Sequence, residues 1–244
     1  MASEDLSRRR VVVTGGASGI GLAAVRCLAA QGVRVALVDR VISSASADFS
    51  EITEWHRDVD VTDEAAVELA FDDIAAHFDG IDAVIHAAGV MREQMTDPRD
   101  VSLAAWNEVL GVNLTGAFLV SRAAARIMAA QGSGTIVLVG SHAGTIGPSG
   151  SVPYGASKGG VNGLAMTLHR FLSPLGIRVN NLCPGSVDTP LVRRSLDEGV
   201  AHGASTEVTE RTRKSLVDPD GVGRILAFLA GPDADLVQGT VFTS

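Results

Sequence analysis

Val11-Val12-Val13-Thr14-Gly15-Gly16-Ala17-Ser18-Gly19-Ile20-Gly21 is the stretch on which the reading of this chain turns. Three β-branched residues in a row predict a buried strand, and the alanine-rich run that follows predicts a helix over residues 19–30. The glycines between them let the backbone turn sharply and approach a phosphate group, whose charge then meets the helix N-terminus. A glycine cluster is informative only in such a strand–turn–helix setting, and here a second signal supports it. Asp39 closes the next apolar run, Val35-Ala36-Leu37-Val38, at roughly the 20-residue distance expected of a dinucleotide site. A carboxylate there accepts hydrogen bonds from an adenosine ribose and repels a 2′-phosphate. Gly15, Ser18, Gly19, Ile20, Gly21 and Asp39 are therefore candidates for holding a dinucleotide, with NAD favoured over NADP. Arg40 leaves room for NADP, because arginine can pair a 2′-phosphate.

Outward from this stretch, short β-branched runs alternate with alanine-rich helical ones. Strands are predicted at 11–13, 33–38, 55–59, 81–86, 135–139, 177–182 and 237–242. Helices are predicted at 19–30, 63–78, 106–130, 153–172 and 218–230, and a polar stretch at 43–50 precedes the third strand. Strands separated by helices imply an α/β fold: a Rossmann-type doubly wound parallel sheet of about seven strands with helices on both faces. There is no internal repeat and no Pro-, Gly- or Ser-rich linker, so residues 1–244 are expected to form a single dinucleotide-binding and catalytic domain. The segment at about 187–215 is expected to be a mobile lid, with Leu191, Val192, Leu196 and Val200 as its apolar face.

The bulk numbers narrow the classes of function. A formal charge of -8 argues against nucleic acid, since phosphate neutralisation needs a basic face. No apolar run is read as reaching the roughly 20 residues that span a bilayer, and residues 1–7 lack the apolar stretch of a signal peptide. Cys27 and Cys183 sit in apolar segments and suit reduced thiols in a cytoplasmic protein. His56, His77, His86, His142, His169 and His202 show no paired ligand spacing, so no metal is expected.

Tyr154, the chain's only tyrosine, stands four positions before Lys158, one of two lysines. On a helix those positions share a face, and a nearby fixed positive charge favours phenolate. The expectation is a tyrosine with a lowered pKa, able to exchange protons near neutral pH.

With the glycine loop and this pair together, the chain resembles the short-chain dehydrogenase/reductase family, from about residue 9 to 242. Thr14 to Gly21 is similar to the family's T-G-x-x-x-G-x-G loop, and Asp60-Val61 to the pair that contacts the adenine ring. Ala88 and Gly89 follow the fourth strand, where the backbone runs beside the cofactor. Asn113 matches the helix asparagine that anchors a proton-relay water, and Ser141 matches the catalytic serine. Asn181-Leu182-Cys183-Pro184-Gly185, with Val187 and Thr189 beyond, resembles the segment that closes over the nicotinamide. What the resemblance implies is reversible hydride transfer between a nicotinamide and a secondary alcohol or ketone. Tyr154 would exchange the hydroxyl proton and Ser141 would hold the substrate oxygen. Lys158 would hold the nicotinamide ribose and lower the tyrosine pKa.

The chain departs from the family pattern at two places. His86-Ala87-Ala88-Gly89 replaces the usual Asn-Asn-Ala-Gly, which puts the tie between neighbouring strands in question; His86 is read as structural. The last residues stop short of the Asp-Gly-Gly tail that helps relatives assemble, so the expected homodimer or homotetramer is left open between the two. For the substrate pocket the candidates are Met91, Arg92, His142, Ala143 and Val152, and Arg193 or Arg194 for an anionic substituent. The expected partner is a small alcohol or carbonyl compound. The alternatives are an NADPH-dependent 3-oxoacyl-thioester reductase and a non-catalytic nucleotide sensor, the latter opposed by the intact Asn113, Ser141, Tyr154 and Lys158.

Overall fold

Valine-rich runs become strands here because β-branched side chains pack well on a pleated surface covered on both sides. The computed structural model of the chain describes residues 8–42 and 49–243. Residues 1–7, Ser244 and most of the polar stretch at 43–50 lie outside them, together with the expectations placed there. In chain order the elements are β1 (Arg10–Thr14), α1 (Gly19–Ala30), β2 (Arg34–Asp39), β3 (Trp55–Asp58), α2 (Glu64–Phe78) and β4 (Ala83–His86). Then come α3 (Leu103–Leu110), α4 (Gly116–Gln131), β5 (Gly134–Val139), α5 (Val152–Leu172) and β6 (Ile177–Cys183). The chain ends with α6 (Pro190–Ala201), α7 (Thr206–Lys214), α8 (Pro219–Ala230) and β7 (Gly239–Phe242).

The strands form one parallel, Rossmann-like sheet of seven in the order β3-β2-β1-β4-β5-β6-β7, as the alternating pattern predicts. Period-two alternation divides each strand between two helical layers. Val11, Val13, Val35 and Leu37 pack with Val25 and Leu28 of α1 and Leu226 of α8. Val12, Ala36 and Val38 point the other way, into Phe71 and Ile74 of α2, Val120 and Met128 of α4, and Val161 of α5. The edge strand β3 is polar, with Arg57 paired to Asp73 and lying over Trp55. Charge on an exposed edge discourages pairing with another chain.

Two features differ from the expectations. A π turn, Gly111–Thr115, joins α3 to α4 without a break, so Leu103–Gln131 is one helical run long and apolar enough, by length and composition, to cross a membrane. Each half alone reads as amphipathic. Leu119, Val120, Ala124 and Met128 pack beneath the sheet, and Arg122 and Arg126 pair with acids of α2, so one face of the run packs into the protein core. The second feature is segment 187–215, which holds two helices, α6 and α7, where only an apolar face was expected.

The chain leaves β1 toward β2 on one side and reaches β4 on the other, so the strand order reverses between β1 and β4. In an open α/β sheet a crevice forms outside the carboxyl ends of the strands at that reversal, and ligands bind there.

Candidate active site

That crevice is a cleft of about 490 Å³. The glycine loop forms its floor. Gly15 has φ +71°, and a Cβ there would lie 2.4 Å from the Ala88 nitrogen. At Gly21 a Cβ would lie 2.1 Å from the Gly15 carbonyl oxygen, so the loop closes only without side chains. α2, α3, α5, α6, α7 and α8 are each capped by a side chain at the N-terminus. α1 is not: Ser18 makes no cap bond, so first-turn N–H groups lack a capping acceptor beside the cleft. Uncapped helix amides beside a glycine cradle fit the diphosphate of a dinucleotide.

At the far end of β2, Asp39 accepts a hydrogen bond from Ala17 N at 3.0 Å, which ties the strand end to the loop. Asp60 accepts from Thr62 N at 2.9 Å and Thr62 Oγ1 at 2.7 Å. Burial is the largest influence on Asp60 and opposes its charge. The Thr62 hydrogen bonds and Arg40's charge outweigh it and leave the carboxyl below its ordinary value. Two carboxylates thus border the end of the cleft where an adenosine would lie.

Ser141, Tyr154 and Lys158 border the other end. α5 begins at Ser151, whose Oγ accepts from Tyr154 N at 3.3 Å and donates to the Arg92 carbonyl at 2.6 Å. One helical turn then sets Tyr154 and Lys158 on the same face. Tyr154 is 8% exposed, and burial pushes its phenol up to about 12. A hydrogen bond with Ser141 opposes that rise and the nearby Cys183 adds to it. The expected lowering of Tyr154 by Lys158 is therefore corrected. The Lys158 Nζ donates to the Val139 carbonyl at 2.7 Å and stands 5.7 Å from the centre of the Tyr154 ring. One of its protons is held by a backbone oxygen rather than by the phenol, and burial lowers its own pKa to about 8.

Gly15, Ser18, Gly19, Ile20, Gly21, Asp39, Asp60, Val61, Ala88, Gly89, Pro184, Gly185, Val187 and Thr189 all border the same cleft as Ser141, Tyr154 and Lys158. Asn113 does not. Its amide bonds both Val90 N (2.8 Å) and Val90 O (2.9 Å), and it donates to Ser157 Oγ at 2.9 Å, so it braces the wall from behind. A Cβ built on Gly89 would be 3.4 Å from Asn113 Oδ1 and 3.7 Å from Lys158 Nζ. The tips of both side chains therefore face the side of Gly89 that a side chain would occupy.

His86 settles the departure from Asn-Asn. Its Nδ1 lies 2.8 Å from Thr14 Oγ1, so the imidazole itself ties β4 to β1 and the strand tie is kept. Burial first, then the Lys158 charge, lowers its pKa to about 3, which leaves it neutral. The substrate-pocket candidates fare differently. Met91, Arg92, His142, Ala143 and Val152 are not among the cleft residues. Arg92 is held by Glu108 on α3, and the His142 ring leans on Phe242 at 5.8 Å. The cleft instead takes Leu191, Val192 and Arg194 from α6, while Leu196 and Val200 lie outside it. Thr189 packs on the glycine loop: a Cβ at Gly19 would be 3.2 Å from its Cγ2. That contact fixes where α6 enters the cleft.

The short chain dehydrogenase family model matches residues 9–199. The chain is 37% identical to cis-4-hydroxycyclohexanecarboxylate dehydrogenase of Sinomonas cyclohexanicum, over 98% of this chain and 95% of that protein. It is 34% identical to the 3-oxoacyl-(acyl-carrier-protein) reductase MabA of Mycobacterium avium, over 96% of this chain and 87% of that one. Among solved structures, a levodione reductase superposes with a TM-score of 0.88 at 30% identity, covering 96% of this chain and 95% of the other.

Proposed function

The chain belongs to the short chain dehydrogenase family and is an oxidoreductase of CH–OH groups, and we propose that it moves hydride between NAD(H) and a secondary alcohol or ketone with Tyr154 as the proton-exchanging residue. One observation carries this reading: Ser141, Tyr154 and Lys158 border the same cleft as the glycine loop and the uncapped start of α1.

In this reading Gly15, Ser18, Gly19, Ile20 and Gly21 hold the diphosphate, Asp39 the adenosine ribose, and Asp60 and Val61 the adenine. Ala88 and Gly89 run beside the dinucleotide, and Pro184, Gly185, Val187 and Thr189 cover its nicotinamide. The bound dinucleotide supplies the hydride donor or acceptor. Ser141 orients the substrate oxygen next to the Tyr154 phenol. A phenol near pKa 12 stays protonated at neutral pH and remains a far stronger acid than an aliphatic alcohol. It is therefore ready to protonate a carbonyl oxygen in reduction. In oxidation it must pass its own proton on as it takes one from the substrate, and Lys158, whose Nζ faces Gly89 together with Asn113 Oδ1, would relay it. Lys158 also holds the nicotinamide ribose.

NAD is favoured because carboxylates at Asp39 and Asp60 border the adenosine end and repel a 2′-phosphate. Residues 1–244 act as one domain, with 187–215 as its substrate lid. Exposed Leu103, Phe118 and Met166 on α3 to α5, and Phe228, Leu236 and Phe242 near β7, support a homodimer or homotetramer. The free thiols Cys27 and Cys183 support a cytoplasmic setting. A relative named for a hydroxycyclohexanecarboxylate favours a ring alcohol as substrate. MabA favours a 3-oxoacyl-thioester as the second reading.

Nicotinamide absorbance tests these readings. NAD and NADP are offered with secondary alcohols, and the reduced forms with ketones and 3-oxoacyl thioesters. Faster turnover of simple alcohols or ketones with NAD(H) supports the reading. Turnover confined to thioesters with NADPH replaces it by the second.

A further inference from the structure

We propose that Arg194 selects the substrate by taking a carboxylate that the substrate itself carries, so that the preferred compounds are secondary alcohols or ketones bearing an acid group. The inference rests on the hydride-transfer reading above and names its substrate class. Two cations stand side by side on α6, and the structure separates them. Arg193 is taken: its Nε and a terminal nitrogen each lie 2.6 Å from an Asp188 carboxylate oxygen. Acids that could neutralise its neighbour are also engaged. Asp197 pairs with Arg213, and Glu198 accepts from Glu93 N at 2.9 Å. Arg194, exposed on α6, borders the cleft, and among the described residues it has no hydrogen-bond or ion-pair partner.

The helix sets its direction. Pro190, Leu191 and Arg194 are spaced at i, i+1 and i+4, lie on the cleft side of α6, and all border the cleft. Helical side chains lean toward the N-terminus, which directs Arg194 toward the Leu191 end of α6. The cleft's two other cations are placed differently. Arg40 acts on Asp60 at the adenosine end, and Lys158 is bonded to the Val139 carbonyl. A diphosphate already has the amides at the uncapped start of α1. What is left for Arg194 is an anion arriving with the substrate. A guanidinium grips a carboxylate through two parallel hydrogen bonds, while Leu191 and Val192 offer apolar surface to the carbon skeleton between acid and carbinol.

The test compares 4-hydroxycyclohexanecarboxylate with the uncharged 4-methylcyclohexanol as alcohols, using wild type, Arg194→Met and Arg194→Lys, with KM for NAD recorded throughout. Wild type should favour the carboxylate at least tenfold in kcat/KM, chiefly through KM. Arg194→Met should reduce that ratio at least tenfold, and Arg194→Lys should restore part of it. A wild type that uses both alcohols equally well sinks the inference and leaves hydride transfer standing. So does an Arg194→Met that weakens both alcohols alike while raising KM for NAD, since the guanidinium would then serve the dinucleotide. Wild type that oxidises neither alcohol, and reduces neither corresponding ketone, overturns the underlying reading and this inference with it.

Discussion

Replacing His86 with asparagine should remove an acid-dependent loss of stability that β4 builds into the protein. His86 is 2% exposed, with Nδ1 against Thr14 and Nε2 buried without a partner. Burial, then the Lys158 charge, takes its pKa from 6.5 to about 3. The unfolded chain binds a proton near the ordinary value, and the folded chain resists it until far lower pH. A group with a depressed folded pKa contributes stability that is complete above its unfolded value and drains away as pH falls through the folded one. Here that window runs from 6.5 down to about 3, and each pH unit well inside it costs about 1.4 kcal/mol. Between pH 7 and about pH 4.5 the loss comes to about 3 kcal/mol. Carboxylates such as Asp82 also lose stability in acid, but they do so in both proteins and cancel from the difference. Asparagine does not titrate, and its amide can still bond Thr14. Urea unfolding of both proteins at the two pH values measures the difference. Wild type should lose about 3 kcal/mol more than His86→Asn. Equal losses would refute the argument, because burial at β4 would then impose no cost on a charged imidazole.

Further outcomes follow from the same geometry. Because burial holds the Tyr154 phenol protonated up to about pH 12, kcat/KM for alcohol oxidation should climb as pH rises from about 6 to 9, by up to roughly tenfold per unit, while ketone reduction stays level over that range. A falling oxidation profile would contradict the assignment. Asp39→Asn keeps an acceptor for Ala17 N but removes the charge; the NADP-to-NAD ratio of kcat/KM should rise at least tenfold, about 1.4 kcal/mol. An unmoved ratio would show that another group selects the cofactor. Gly21→Ala puts a Cβ 2.1 Å from the Gly15 carbonyl, so thermal unfolding should shift down by about 1–3 kcal/mol and NADH binding should weaken with it. An alanine variant with wild-type melting and binding would mean that the loop tolerates a side chain.

Much of this was legible because the signals are local. β-branched runs mark each strand, and the glycine loop and Asp39 lie within one β-turn-α-β unit, so the sheet and one end of the cleft could be read directly. The edge of legibility is long-range contact. Nothing near His86 in sequence announces that Thr14, 72 positions away, would receive it. Spacing put Lys158 on the face of Tyr154 but could not say that the phenol is buried deeply enough to raise its pKa, nor that the ammonium turns to the Val139 carbonyl. α7 lacks an apolar stripe, which hid it from a periodicity argument. Its helix signals were present all the same: Ser205 caps Val208 N, and Glu207 pairs with Arg211 one turn on. Arg193 and Arg194 look alike in sequence, and only the position of Asp188 tells which one is free for the cleft.

The central claim is that the Tyr154 hydroxyl exchanges the substrate proton, and single-turnover hydride transfer in Tyr154→Phe tests it most directly. Phenylalanine keeps the ring and its packing and deletes only the hydroxyl beside Ser141. With NADH bound to wild-type affinity, the nicotinamide absorbance change on mixing with ketone should slow by about a hundredfold or more. Transfer within a few-fold of wild type, with cofactor binding intact, would contradict the account and require another group in this cleft to handle the proton.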